Sequence, residues 1–150
     1  MLSNWQSVRS IGVVTSVEFD SFKESVDNFL VRNSNKELTI IRHFDDESPS
    51  NVKFRIEKFS TKEINWFCRP MNDAVNKFIN EDFDILIFVN PDANQSLLWI
   101  YELSLAKFKI GYRDEFFITN PDLVFEPNQT KNPLGKILKE TEFYLTKINN

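Results

Sequence analysis

Apolar residues fall in short runs separated by amphipathic stretches, and the two kinds of pattern alternate along the chain. Residues 10–16 carry Ile11, Val13 and Val14 with little polar alternation, the pattern of a strand covered on both faces. Phe22, Val26, Phe29 and Leu30 then recur at i, i+4, i+7 and i+8, which is one face of a helix. Asp20 or Ser21 stands where a cap is needed, and Ser21 with Glu24 spells a capping box. Asn33-Ser34-Asn35 closes that helix, and residues 38–44, with Leu38, Thr39, Ile40 and Ile41, predict a second strand. Strand, helix and strand at this spacing predict a βαβ unit with parallel strands.

Further on, Val52, Phe54 and Ile56 alternate with Lys53, Arg55 and Glu57, predicting a half-exposed strand at a sheet edge. Its short connection also permits an antiparallel hairpin with the second strand. Ser60 and Glu63 form another capping box, predicting a short helical turn that carries Ile64, Trp66 and Phe67 inward. Asn72 or Asp73 caps a helix through Asn80, with Val75, Phe78 and Ile79 inward. Residues 84–89 are the most apolar strand and are expected at the sheet centre. The turn Asn90-Pro91-Asp92-Ala93-Asn94 leads to a helix expected over 95–107, with Leu97, Leu98, Tyr101, Leu105 and Phe108 near helical spacing. Residues 109–112 predict a short strand or turn, and 114–117 and 123–125 predict short closing strands. Asn132 caps a last helix with Pro133 at its first position and an apolar stripe of Leu134, Ile137, Leu138, Leu145 and Ile148, with Thr141 in the same arc. The order predicts one α/β domain over 1–150: a three-layer, Rossmann-like arrangement with helices on both faces of a mostly parallel sheet.

Composition narrows the function classes. The chain has 150 residues and a formal charge of −4, which argues against a nucleic-acid or anionic-membrane footprint. Its longest apolar runs are strand length, far short of the roughly 20 residues of a membrane span, and the first residues do not read as a signal peptide. A cytoplasmic location is therefore expected. One Cys and one His cannot build a zinc site. Fifteen phenylalanines point to an aromatic core, and Trp5, Trp66 and Trp99 read as packing residues. With only three glycines, the chain lacks the Gly-rich loop that a dinucleotide or phosphate cradle requires, and no cofactor is expected.

In open α/β sheets, ligands bind beyond the carboxyl ends of the strands. Thr15, Ser16, His43, Asn90, Asp92 and Asn94 occupy those ends and form the candidate ligand-binding rim. Glu18 and Asp20 make the first loop repel anions. The Asn and Asp residues also suit plain turns and helix caps. A Cys68–His43 dyad would need the two to meet beside a third, orienting group. Cys68, between Phe67 and Arg69-Pro70, reads instead as a buried thiol, and Asp45-Asp46-Glu47 reads as a solvated turn rather than a metal site. No catalytic set emerges.

Phe59-Ser60-Thr61-Lys62-Glu63-Ile64-Asn65-Trp66-Phe67-Cys68-Arg69-Pro70, with Phe83-Asp84-Ile85-Leu86-Ile87 and Ser104-Leu105-Ala106-Lys107-Phe108-Lys109-Ile110-Gly111, resembles a family of small uncharacterised bacterial proteins. Cys68 departs from that pattern, which has glycine there. A weaker resemblance links Asp84-Ile85-Leu86-Ile87, Ser96, Ala106-Lys107 and Lys109-Ile110-Gly111-Tyr112 to the N-terminal, Rossmann-like half of lipopolysaccharide heptosyltransferases. That resemblance implies the fold. It does not imply transfer chemistry, because the nucleotide-sugar site of those enzymes lies mostly in the other half, and the acid they carry after the strand falls here at Phe88 or Val89. The sequence thus predicts a non-enzymatic domain that binds a protein partner or pairs with itself. The alternative is a small-molecule or sugar-binding domain related to half a glycosyltransferase.

Overall fold

The structure, a computed structural model, describes residues 5–43, 54–66, 69–113, 120–126 and 132–148. Among these, six strands form a single sheet: β1 (Ser10–Thr15), β2 (Glu37–His43), β3 (Arg55–Phe59), β4 (Ile85–Val89), β5 (Lys109–Tyr112) and β6 (Leu123–Phe125). Every pairing is parallel, and the order is β3-β2-β1-β4-β5-β6. Four helices cover the sheet: α1 (Phe19–Arg32), α2 (Asp73–Asn80), α3 (Gln95–Leu103) and α4 (Pro133–Ile148). This is the α/β class expected from the alternation of periods.

The centre is β1 between β2 and β4, with Val13 level with Ile40 on one side and Ile87 on the other. Alternate side chains serve opposite layers. Ile11, Val13, Leu38, Ile40, Ile85 and Ile87 pack against Phe22, Val26 and Phe29 of α1 and Leu134, Ile137 and Leu138 of α4. Val14, Ile41, Leu86 and Phe88 pack against Val75 and Phe78 of α2 and Leu97, Ile100 and Tyr101 of α3. Covering both faces is what permits the unbroken apolar runs of β1 and β4. Gly12 belongs in β1 because the ring of Phe83 lies against it: a Cβ there would sit 2.7 Å from a ring carbon.

Polar groups staple the edges. Asp84 accepts from the Arg9 and Ser10 amides at 2.8 and 3.2 Å, tying the start of β4 to the start of β1. The buried Lys36 donates from Nζ to the carbonyls of Trp5 and Val8 at 2.7 and 2.8 Å, fixing a 3₁₀ turn at Trp5–Ser7 against the sheet. Burial first, then Arg9, lowers the lysine's pKa.

Several local expectations need correction. The helix α1 starts at Phe19 with Glu18 as its cap residue and no side-chain cap, so Ser21 lies inside the first turn, its amide bonded to the Glu18 carbonyl at 3.0 Å. The strand β3 is at the edge but parallel to β2, which removes the hairpin alternative. The helix α3 ends at Leu103 rather than 107. Beyond it, the amides of Leu105 and Lys107 donate to Ile79 and Phe83, so other carbonyls take over where helical ones would have served. Leu105 is consequently exposed. The strand expected over 114–117, the acidic run 45–47 and the side chains of Phe67, Cys68 and Ile148 lie outside the described residues.

Candidate functional site

Because all strands are parallel, their carboxyl ends share one rim, and the strand order reverses direction between β1 and β4. Ligands of open α/β sheets favour such a reversal. The six expected rim residues all lie here, at the ends of β1 and β2 and in the loop between β4 and α3. Their side chains mostly bond to the protein itself. Thr15 is fully buried, and its Oγ1 accepts from the Val17 amide at 3.0 Å. Ser16 extends the β1–β4 pairing by donating its amide to the Val89 carbonyl, while its Oγ accepts from the Asp92 amide at 3.2 Å. Asn90 clamps its own loop: Oδ1 accepts from the Asn94 amide and Nδ2 donates to the Asn94 carbonyl, both at 3.0 Å. Within that clamp Ala93 takes a φ of 52°, a left-handed conformation that costs a non-glycine residue on the order of 1 kcal/mol. Asp92 is exposed at the loop's outer bend.

Asn94 joins this loop to the second strand. Its Oδ1 caps α3 by accepting from the Ser96 and Leu97 amides at 2.9 and 3.2 Å. Two donors on Oδ1 fix the amide's orientation, so Nδ2 is the atom 2.9 Å from His43 Nδ1. An NH₂ group only donates. His43 Nδ1 therefore accepts, and Nε2 carries the proton toward Thr61 Oγ1 at 3.1 Å. The imidazole also stacks on Phe59, with centroids 5.0 Å apart. His43 thus ties β2, β3 with its following turn, and the β4–α3 loop into one unit. Ser16 and His43 are bonded to different partners, so the rim shows no serine–histidine pair. Among the described residues no three acidic, His or Cys side chains converge as they would around a metal ion.

Three neighbouring features escaped sequence reasoning. Arg42 is buried, with its guanidinium 5.9 Å from the Phe22 ring centroid. Burial foremost lowers its pKa, and Glu18 opposes that. A cation inside the apolar run of β2 was the available signal. Thr61, which bonds His43, lay hidden because its pairing crosses 18 residues.

The third is the loop that lies between the capping box and the Asn72 cap, both of which are as the sequence predicts. A capping box holds the 3₁₀ turn Thr61–Glu63, with the Ser60 amide donating to Glu63 at 2.9 Å. That bond, ahead of one from Asn72, holds the Glu63 carboxyl below its ordinary pKa. Next comes a closed loop. Ile64 bridges Pro70, the Asn65 amide donates to the Arg69 carbonyl at 2.9 Å, and the Arg69 amide donates to Asn65 Oδ1 at 3.0 Å. Asn72 then caps α2 by accepting from the Val75 amide at 2.7 Å. The expected inward Trp66 is instead 85% exposed at this loop, because the helical turn stops at Glu63 and the chain doubles back. Met71, just past the loop, is 51% exposed, and the Arg69 guanidinium lies 5.8 Å from the ring centroid of the half-exposed Trp99. Trp5, by contrast, is buried as expected.

Away from the rim, a groove of about 550 Å³ lies between the last residue of α1 and the second half of α4, lined by Arg32, Lys139, Glu142, Phe143, Thr146 and Lys147. Cations there complement two helix C-termini.

Fold and rim together define an α/β domain with a six-stranded parallel sheet whose strand-end polar groups interlock. The chain belongs to a family of unknown function, DUF6913, whose model matches residues 2–148. No curated protein matches the chain, and no solved structure does. Among the described residues, no helix is long and apolar enough to cross a membrane.

Proposed function

We propose that the chain is a partner-binding domain, Rossmann-like in strand order, whose recognition element is the loop bearing Trp66. The observation that carries this reading is the exposure of Trp66 on a loop closed by backbone bonds at both ends. The backbone bonds at the base of the loop lower the ordering cost that binding otherwise exacts. Tryptophan and arginine are also the side chains that dominate binding energy at protein interfaces. The rim supports the same reading, since its side chains brace the loops. Comparative capture from a lysate of the native cells tests it, with the full chain and its Trp66→Ser variant as baits. Partners are expected on the first bait and lost on the second. Identical captures would sink the reading.

A second reading, a small-molecule or sugar-binding domain, draws support from the strand reversal beneath Ser16 and Asp92. It requires a thermal shift with nucleotide sugars or sugar phosphates. A ligand at 100 times its Kd adds about 2.7 kcal/mol, and an Asp92→Ala variant should abolish that gain.

A further inference from the structure

We propose that the groove between α1 and α4 is a second docking site. Its occupant is an acidic helical segment of a partner protein, with an apolar side chain between two carboxylates. The groove shares no lining residue with the Trp66 loop, and neither reading depends on the other.

Helix periodicity sets the layout. Lys139, Phe143 and Lys147 stand at i, i+4 and i+8 of α4, so they form one stripe with the lysines about 12 Å apart along the axis. Phe143, 63% exposed, is the apolar centre of that stripe, and the Lys147 ammonium lies 4.4 Å from its ring centroid. The core does not claim this ring, because Leu134, Ile137, Leu138 and Leu145 supply the buried face of α4.

Electrostatics choose the occupant. Three cations and one carboxylate line the groove, a local +2 on a chain of −4. The carboxylate is already engaged: Glu142 accepts from Arg32 at 3.4 Å and from the Asn33 side-chain amide at 3.2 Å. Among the described residues, no carboxylate pairs with Lys139 or Lys147. The helix dipole accounts for a cation in the last turn, where Lys147 stands, but not for Lys139 in the middle of α4. A second copy does not fit. An antiparallel twofold pairing would set Lys139 against the other copy's Lys147, and a parallel one would set each lysine against itself, so like charges meet either way. Anionic membranes are recognised by clusters of about four to eight cations, and the groove has three. A partner helix with Glu, an apolar residue and Glu at i, i+4 and i+8 does fit. Each carboxylate meets one lysine and the apolar side chain lies on Phe143, the helix-in-groove mode. So small a contact is weak and transient, with a Kd on the order of 100 μM.

Fluorescence anisotropy of the full chain with a labelled alanine-based helical peptide bearing Glu, Leu and Glu at those spacings is the test. The expected result is saturable binding that loosens as salt rises. Lys139→Glu and Phe143→Ser, both at exposed positions, should each weaken it about tenfold or more with an unchanged melting temperature. A peptide with Lys in place of both Glu residues should not bind. No saturation at millimolar peptide overturns the proposal, as does binding that both variants leave intact. Equal binding of the Lys peptide overturns the acidic partner. Binding to phosphatidylserine vesicles in place of the peptide overturns a protein as the occupant.

Discussion

Asp84 shows how one side chain can fasten a sheet edge. Partial burial works against its charge, yet the amides of Arg9 and Ser10 and the Lys107 ammonium at 3.3 Å hold its pKa below the ordinary aspartate value. The lowered folded-state pKa fixes the sign of the linkage. The stabilisation is complete above the unfolded value of about 3.8 and fades as acid carries the pH down through the folded value. Replacing Asp84 with Asn is expected to cost about 1.5 kcal/mol at neutral pH, as for hydrogen bonds to a charged group. The same change should flatten the acid limb of the stability–pH curve. Denaturant titrations at neutral pH and below pH ~3.8 check both. Lys36 has the same sign in a different pH range: its lowered pKa also means that the unfolded chain binds more protons, so stability rises with pH as alkali approaches the ordinary lysine value.

At the scale of elements, the β4–α3 loop and the end of β2 act as one piece through Asn94 and His43. Asn94→Ala removes a helix cap, worth about 1 kcal/mol, and also the contact with His43. His43→Leu removes the latter together with the Thr61 bond and the stack on Phe59. A double-mutant cycle by chemical denaturation is expected to give a coupling of about 1 kcal/mol. Strictly additive losses would mean the pair contributes nothing. Elements of this kind were legible to different depths. Asn72 and Asn94 sit at their caps as local chemistry predicts, and the stripes of α1 and α4 face the core, because caps and periodicity are properties of neighbouring residues. The direction of β3 depends on which strand it meets, and no local pattern encodes that. The end of α3 was missed for a related reason, since distant carbonyls at Ile79 and Phe83 compete for its next amides. Trp66 was misplaced because an apolar residue three beyond a capping box reads as core until the Ile64–Pro70 bridge is known. The rim residues could be located from sequence, but their mutual bonding could not.

For the whole molecule, stability should grade outward from the middle of the sheet. The strands β1 and β4 are buried on both faces and paired on both sides, whereas β3 and β6 are paired on one side. Native-state hydrogen exchange is expected to be slowest at Ile11, Val13 and Ile87 and faster by orders of magnitude in β3 and β6. Uniform protection across the sheet would contradict this layering. One further consequence follows from the place of α4 in the order of elements. It supplies Leu134, Ile137, Leu138 and Leu145 to the layer that α1 covers only in part. During synthesis, every strand leaves the ribosome before that helix does. Part of one sheet face therefore stays uncovered until α4 itself has emerged, and a nascent chain at that stage offers chaperones and proteases an apolar surface that the finished molecule never shows.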